Sequence, residues 1–244
     1  MSLDGSAVLV TGGTRGIGLA IAHRLVRDGA GRVVLGYLRN EAAAEAAADA
    51  LRATGAEVDL VRGNVASEKV VGALAAAGPY RVVVHNAATG VVRSALETED
   101  KHWDWTMNAN ARSLLALTRA TAPAMERGSA IVAVSSLGSV RVLDNYVLIG
   151  SSKAALEAVV RYLAVELAPR GVRVNAVSAG VVETGALEHF PNKDEMLATV
   201  ERTPAGRLVE PGDVAAAVSF LCSGDAAMVC GQTLVVDGGF SLPA

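Results

Sequence analysis

The chain has 244 residues, a length that one domain fills and that leaves ample interior for an apolar core. It is 51% hydrophobic and 19% charged with 25 glycines, which argues for apolar strands joined by tight turns and against disorder or a coiled coil. Twenty-two basic against 25 acidic residues give a formal charge of −3, which offers no basic field to nucleic acid; no run approaches the ~20 apolar residues of a membrane span, so a soluble, cytoplasmic protein is expected.

The first apolar run, 7–10, ends in Thr11-Gly12-Gly13, after which Ile17, Ile21 and Leu25 recur at helical spacing up to Gly29. This reads as strand, glycine turn, helix. The pattern repeats with a strand at 32–37, an alanine-rich helix at 41–54, a strand at 57–61, and a helix to Ala77 with Ser67 as its cap. A strand at 81–84 precedes Asn86, and a long helical pattern covers 100–126 until Gly128 and Ser129 break it. A fifth strand at 131–134, a helix at 152–167 ending before Pro169, and a sixth strand at 172–177 follow. Residues 181–207 lose the alternation and carry Pro191 and Pro204, a length and character that suit a substrate lid. Pro211 opens a helix to Leu221, and a last strand at 233–236 runs into Asp237-Gly238-Gly239.

Strands that are continuous apolar runs, alternating with helices, predict a parallel sheet covered on both faces. With right-handed crossovers this is a single-domain, Rossmann-type doubly wound α/β sheet of about seven strands. Ligands of such sheets bind beyond the carboxyl ends of the strands, so Thr11, Asn86, Ser136, Gly180 and Thr184 are expected to share one crevice. No metal is expected there: His23, His85, His102 and His189 lack HxxxH or HxH spacing, and Cys222 and Cys230 read as buried thiols outside any CxxC pair.

In TGGTRGIG, Gly12, Gly16 and Gly18 follow a strand and open a helix, so backbone amides at that helix start can approach a pyrophosphate. A close helix–strand contact would need only one of these glycines. Thr14, Arg15 and Ile17 lie in the same turn and belong to the candidate cradle. At the end of the second strand, GYLRN holds no acid for ribose hydroxyls, whereas Arg39 with Arg15 can pair with a 2′-phosphate. The cofactor expected is NADPH.

The run 135–153, SSLGSVRVLDNYVLIGSSK, gathers hydroxyls, a phenol and an ammonium, with six residues between Tyr146 and Lys153. Together with TGGTRGIG, the HNAA at 85–88, Asn110, Ala179-Gly180, Thr184 and the terminal DGG, it resembles the short-chain dehydrogenase/reductases over essentially the whole chain. The resemblance implies that Asn86, Ala87 and Ala88 lie beside the adenine ribose and that Asn64 and Val65 neighbour the adenine. It also implies that Gly180, Val182 and Thr184 approach the nicotinamide amide or the phosphates, and that Lys153 binds the nicotinamide ribose.

Two departures are mild: HNAA replaces NNAG, and AG replaces PG. The third removes the proton donor of ordinary carbonyl reduction, because Ile149 stands where the family places its tyrosine, four before the lysine. The enoyl-acyl carrier protein reductases instead separate the two by six residues, and SSLGSVRVLDNY, SKAALEAVVRYLAVEL and VETGALEHFPNKDE look like enoyl-acyl carrier protein reductase III. At about 100° per residue, seven positions along a helix return to nearly the same face, as four do. In enoyl-thioester reduction the oxygen that gathers charge lies farther from the hydride's target than in carbonyl reduction, and Tyr146 fits as its donor.

The expected reaction is reduction of an α,β-unsaturated thioester on acyl carrier protein or CoA, in fatty-acid or related acyl or polyketide metabolism. Two alternatives stay open: a carbonyl reductase with a shifted tyrosine, and a non-catalytic NADP-binding sensor. Ser136 is a catalytic candidate that would contact substrate or cofactor. Asn110 either holds a water in a proton path or satisfies backbone at a helix kink. Ser135 and Ser139 read as helix caps. Leu187, Phe190, Met196 and Leu197 would line an acyl channel or simply pack. A homodimer or homotetramer is expected through the fourth helix and the Lys153 helix, with Trp103 and Trp105 in that interface or under the lid.

Overall fold

Strand and helix alternate from the first apolar run onward. The computed structural model describes residues 3–185 and 197–242. In it, β1 (Ala7–Thr11) leads through the glycine turn into α1 (Gly16–Arg27), followed by β2 (Arg32–Tyr37), α2 (Glu41–Arg52), β3 (Glu57–Arg62), α3 (Glu68–Ala76) and β4 (Val82–His85). The second half runs through α4 (Asp100–Met107), a π turn (Asn108–Arg112), α5 (Ser113–Thr121), β5 (Ala130–Ser136), α6 (Val147–Leu167), β6 (Arg173–Ala179), α7 (Pro211–Cys222) and β7 (Thr233–Val236). Seven described strands pair in parallel in the order β3-β2-β1-β4-β5-β6-β7. This is the doubly wound Rossmann-type sheet that the alternation predicts.

Successive strand residues point to opposite faces, so each apolar run feeds two cores. Val8 and Val10 join Ile21, Leu25, Leu51, Val214 and Leu221 under α1, α2 and α7. Leu9 joins Val83, Leu114, Ile131, Leu156 and Val160 under α3, α5 and α6. The winding reverses between β1 and β4, whose ends are level because Thr11 pairs with His85. The sheet steps upward at β5, which runs three residues past the Ala133 that pairs with His85. Ser136 therefore projects beyond the floor of the crevice.

Several expectations change. The helix read over 100–126 is interrupted by the π turn and its α-helical part ends at Thr121, just before Pro123. A π turn adds one residue without breaking the apolar pattern, which is why periodicity missed it. The helix expected from Ser152 starts at Val147, so Tyr146 is the residue preceding the first turn and not a member of the helical face. Asn145, at φ +58, turns the chain into it. Ser67 holds the N-cap position of α3, but its side chain makes no capping bond. Cys222 is buried, whereas Cys230 is only half-buried. Within the lid range, Val182 bridges Val209 and a 3-10 turn covers Thr199–Arg202; Leu187, Phe190 and Met196 lie outside the described residues. Trp103 and Trp105 on α4 are both exposed. No described helix is long and apolar enough to cross a membrane.

Ile131, fully buried in β5 beside the central strand, tests the core directly. Ile131→Ala is expected to lower the unfolding free energy by roughly 2–5 kcal/mol, read from the urea midpoint followed by circular dichroism.

Candidate active site

The glycine turn is shaped by contacts that tolerate no side chain. Gly12 and Gly16 have φ of +64 and +52. A Cβ on Gly18 would lie 2.1 Å from the Gly12 carbonyl oxygen and 2.6 Å from Asn86 Nδ2. That amide donates to the carbonyls of Thr11 (3.1 Å) and Gly12 (3.0 Å), while Thr11 Oγ1 accepts from the backbone N–H groups of Asn86 and Ala87 at 3.1 Å each. Asn86 thus staples the turn from across the sheet, and the exposed Ala88 continues the rim.

The first turn of α1 carries no side-chain cap and no acidic residue, so its N–H groups remain available to an anion. Arg15 and Arg39 are both exposed, and neither guanidinium is paired with a described residue. Thr14 is buried beneath the turn and Ile17 packs on the core below it. The Thr184 methyl comes over Gly16, 3.4 Å from where a Cβ would stand. Gly180 abuts Asp237, and Val182 is fixed by its bridge to Val209. At the far end, Asn64 is exposed with its side chain accepting from Ala66 N–H, and Val65 is buried beside it. A narrow, side-chain-free cradle with open amides and two free cations fits a phosphorylated dinucleotide.

Beyond the cradle, Lys153 is buried on α6 and donates to the Val134 carbonyl at 2.7 Å. Burial lowers its pKa to about 8, against the opposing field of Glu157. Asn110, fully buried in the π turn, brackets Thr89 through both its backbone groups (2.9 Å each) and donates to Ser152 Oγ at 2.8 Å. It therefore ties the loop after β4 to α6, one residue before Lys153. These contacts satisfy backbone of the loop at Thr89 and not backbone at the kink itself, so they fill neither of its two expected roles.

Tyr146 is half-buried, with its hydroxyl 3.4 Å from Ser136 Oγ. Burial raises its pKa above the usual phenol value despite that contact, so it stays protonated and able to donate at neutral pH. Its ring lies against Gly138, where a Cβ would approach ring carbons to 2.6 Å. The ring also forms part of the wall of a cavity of about 450 Å³, which Arg93, Arg141, Leu143 and Gly150 help to line. Ile149, one turn before Lys153, is buried against Gly90: a Cβ there would fall 2.2 Å from Ile149 Cγ1. Hydrocarbon thus fills the position in which a hydroxyl would stand one helical turn from the ammonium.

Three polar residues here were missed or misread from sequence. Ser135 caps nothing; its hydroxyl donates to the buried Glu157 carboxylate at 2.5 Å. Capping falls to Ser136, whose Oγ accepts from Gly138 N–H at 3.3 Å. His85 is wholly buried at the end of β4, with Nε2 2.7 Å from Ser113 Oγ. Burial first, and then the Lys153 charge, push its pKa down to about 3, so it is neutral. A signal existed for Glu157, an acid four residues after Lys153 on the apolar side of α6. Among the described residues no group of three or more His, Cys, Asp or Glu could hold a metal.

The model of the family described as enoyl-(acyl carrier protein) reductase matches residues 12–241. The chain is 36% identical to 1-cyclohexenylcarbonyl-CoA reductase of Streptomyces collinus, over 97% of this chain and 87% of that one. It is 35% identical to a 3-oxoacyl-acyl-carrier-protein reductase of Vibrio cholerae, over 98% of each. Its fold superposes on a short-chain dehydrogenase from Burkholderia cenocepacia in complex with NADP with a TM-score of 0.91 at 32% identity, covering 98% of this chain and 99% of that one.

Gly18→Ala is expected to break the cradle while sparing the sheet. NADPH affinity, followed by cofactor fluorescence, should fall at least about tenfold because turn or helix must shift to admit the methyl. Unchanged affinity would place the cofactor elsewhere.

Proposed function

This chain belongs to the short-chain dehydrogenase/reductase superfamily, and from that premise we propose that it is an NADPH-dependent reductase of an α,β-unsaturated acyl thioester borne by acyl carrier protein or coenzyme A. The observation that carries this reading is the exchange at α6. The phenol sits at the helix entrance on the cavity wall, and Ile149 closes the place one turn from Lys153. The names of the family model and of the Streptomyces relative support it.

The glycine turn and the first amides of α1 would hold the pyrophosphate, with Arg15 and Arg39 on the 2′-phosphate and Asn64 and Val65 beside the adenine. Asn86, Ala87 and Ala88 would border the ribose, and Gly180, Val182 and Thr184 the nicotinamide side. Bound there, NADPH supplies a hydride to the β-carbon of the substrate. Lys153 would hold the nicotinamide ribose and keep the local potential positive. As charge builds on the thioester oxygen, Tyr146 donates to it from the cavity wall, a donor fixed in place before the reaction begins. The α-carbon then takes a proton from solvent in the open cavity. Ser136 steadies the phenol, and Asn110 fixes the turn of α6 from which Lys153 reaches the crevice. The exposed Trp105, Leu115, Tyr162 and Val165 offer the apolar surface on which the expected homo-oligomer would form.

One observation favours a second reading, reduction of a carbonyl such as a 3-oxoacyl thioester. Ser136 still contacts the relocated tyrosine, and the Vibrio relative bears that activity in its name. Crotonyl and longer enoyl thioesters, set against 3-ketoacyl thioesters with NADPH absorbance as readout, separate the two: turnover of the enoyl series is expected, and consumption only with the ketones overturns the first reading. Tyr146→Phe is expected to lower kcat about 100-fold with NADPH affinity unchanged; full activity would remove Tyr146 from the mechanism. Arg39→Ala should weaken NADPH roughly tenfold and leave NADH unaltered, measured by paired titrations.

A further inference from the structure

Lys153 and Glu157 stand one turn apart on α6, and both are buried, at 5% and 6% exposure. Consecutive residues of β5 clasp them: the ammonium donates to the Val134 carbonyl at 2.7 Å, and the carboxylate accepts from Ser135 Oγ at 2.5 Å. A carboxylate so placed is costly to bury unless a cation compensates it, and the same holds for the ammonium. We propose that Glu157 is a positioning residue acting through Lys153: it is the buried counter-charge that keeps the ammonium protonated and seated against β5, where the nicotinamide ribose would bind.

The titratable groups packed around this slot are few. On β4, His85 is neutral, and its Nε2 is occupied by Ser113, whose own hydroxyl donates to the Ala109 carbonyl at 2.5 Å. At the start of α6 the Tyr146 phenol stays protonated. Glu157 is left as the anion whose field opposes the loss of charge that burial imposes on Lys153. Ser135 keeps the carboxylate turned toward β5 and away from solvent. The pair thus works through the low dielectric of the sheet–helix seam, without a direct ion pair.

The inference rests on Lys153 serving the cofactor, and its test contains no acyl substrate. NADPH affinity of the full chain is titrated by fluorescence across the alkaline range for the wild type and for Glu157→Gln. Lys153 is charged below its pKa, so wild-type affinity should decline as pH rises through about 8. Glu157→Gln should move that decline to lower pH by roughly one unit. The glutamine amide oxygen still accepts from Ser135, so a purely structural role would leave the decline where it is. Coincident profiles, or a wild-type profile that is flat, overturn the proposal. Should Glu157→Gln fail to fold by circular dichroism, Ser135→Ala, which frees the carboxylate to turn, is expected to shift the profile the same way by a smaller amount. No shift there overturns it too. A chain that reduces only ketones yet shows the shifted profile loses the enoyl reading and keeps this one.

Discussion

Between β1 and β4 the sheet reverses its direction of winding, and the ends of these strands are tied by one amide and one hydroxyl. Asn86 Nδ2 reaches two carbonyls of the first strand's turn, and Thr11 Oγ1 gathers two N–H groups from the other side. Four hydrogen bonds across the switch point hold the glycine turn so closely that Gly18 meets the Gly12 carbonyl. Remove that tie and the first turn of α1 loses its fixed angle to the sheet, and with it the row of uncapped amides. The rest of the crevice is placed relative to this row: the Arg15–Arg39 end, the Thr184 wall over Gly16, and β5 rising beyond the floor.

A second constraint is dielectric. The interior where β4 and β5 meet α5 and α6 takes in an ammonium, a carboxylate and an imidazole, and each is managed differently. The imidazole is neutral, the ammonium and carboxylate are clasped by adjacent β5 residues, and Asn110 pins the helix one residue before Lys153. The phenol belongs to a different environment, on the wall of a cavity, where it keeps its proton. In the proposed reading, charge control and hydrogen-bond donation to the substrate oxygen are therefore separated in space. A short tyrosine–lysine spacing would bring the two functions within one helical turn.

Much of this was legible in the chain. Strands buried on both faces write their identity as unbroken apolar runs, and the end of Thr233–Val236 is marked by Asp237-Gly238-Gly239, residues that disfavour a strand. The glycine turn was legible because its geometry forbids side chains, so composition and structure say the same thing. What escaped depended on partners distant in sequence. Ser135 looked like a cap because its acceptor lies 22 residues onward, and His85 looked incidental until β4 and α5 were packed together. The π turn escaped for another reason, since a one-residue insertion leaves both flanking helices amphipathic.

The spacing of Tyr146 and Lys153 also acquires a different physical meaning. Seven positions on a continuous helix would bring the tyrosine back over the lysine, about two turns away. The helix begins only at Val147, so the backbone of Tyr146 is already turning, with Asn145 in the left-handed region before it. Its direction is set by the ring's contact with Gly138 and by Ser136, and not by helical phase. Gly138 and Gly150 are themselves in contact, a Cβ at Gly150 falling 2.6 Å from the Gly138 carbonyl, so the loop presses on the helix where the phenol emerges. Ile149 completes the arrangement from the other side by filling the space against Gly90. The tyrosine's position is thus over-determined by small residues on the loop and a large one on the helix, which is how, in the proposed reading, a donor would be set farther out without any change in the glycine turn.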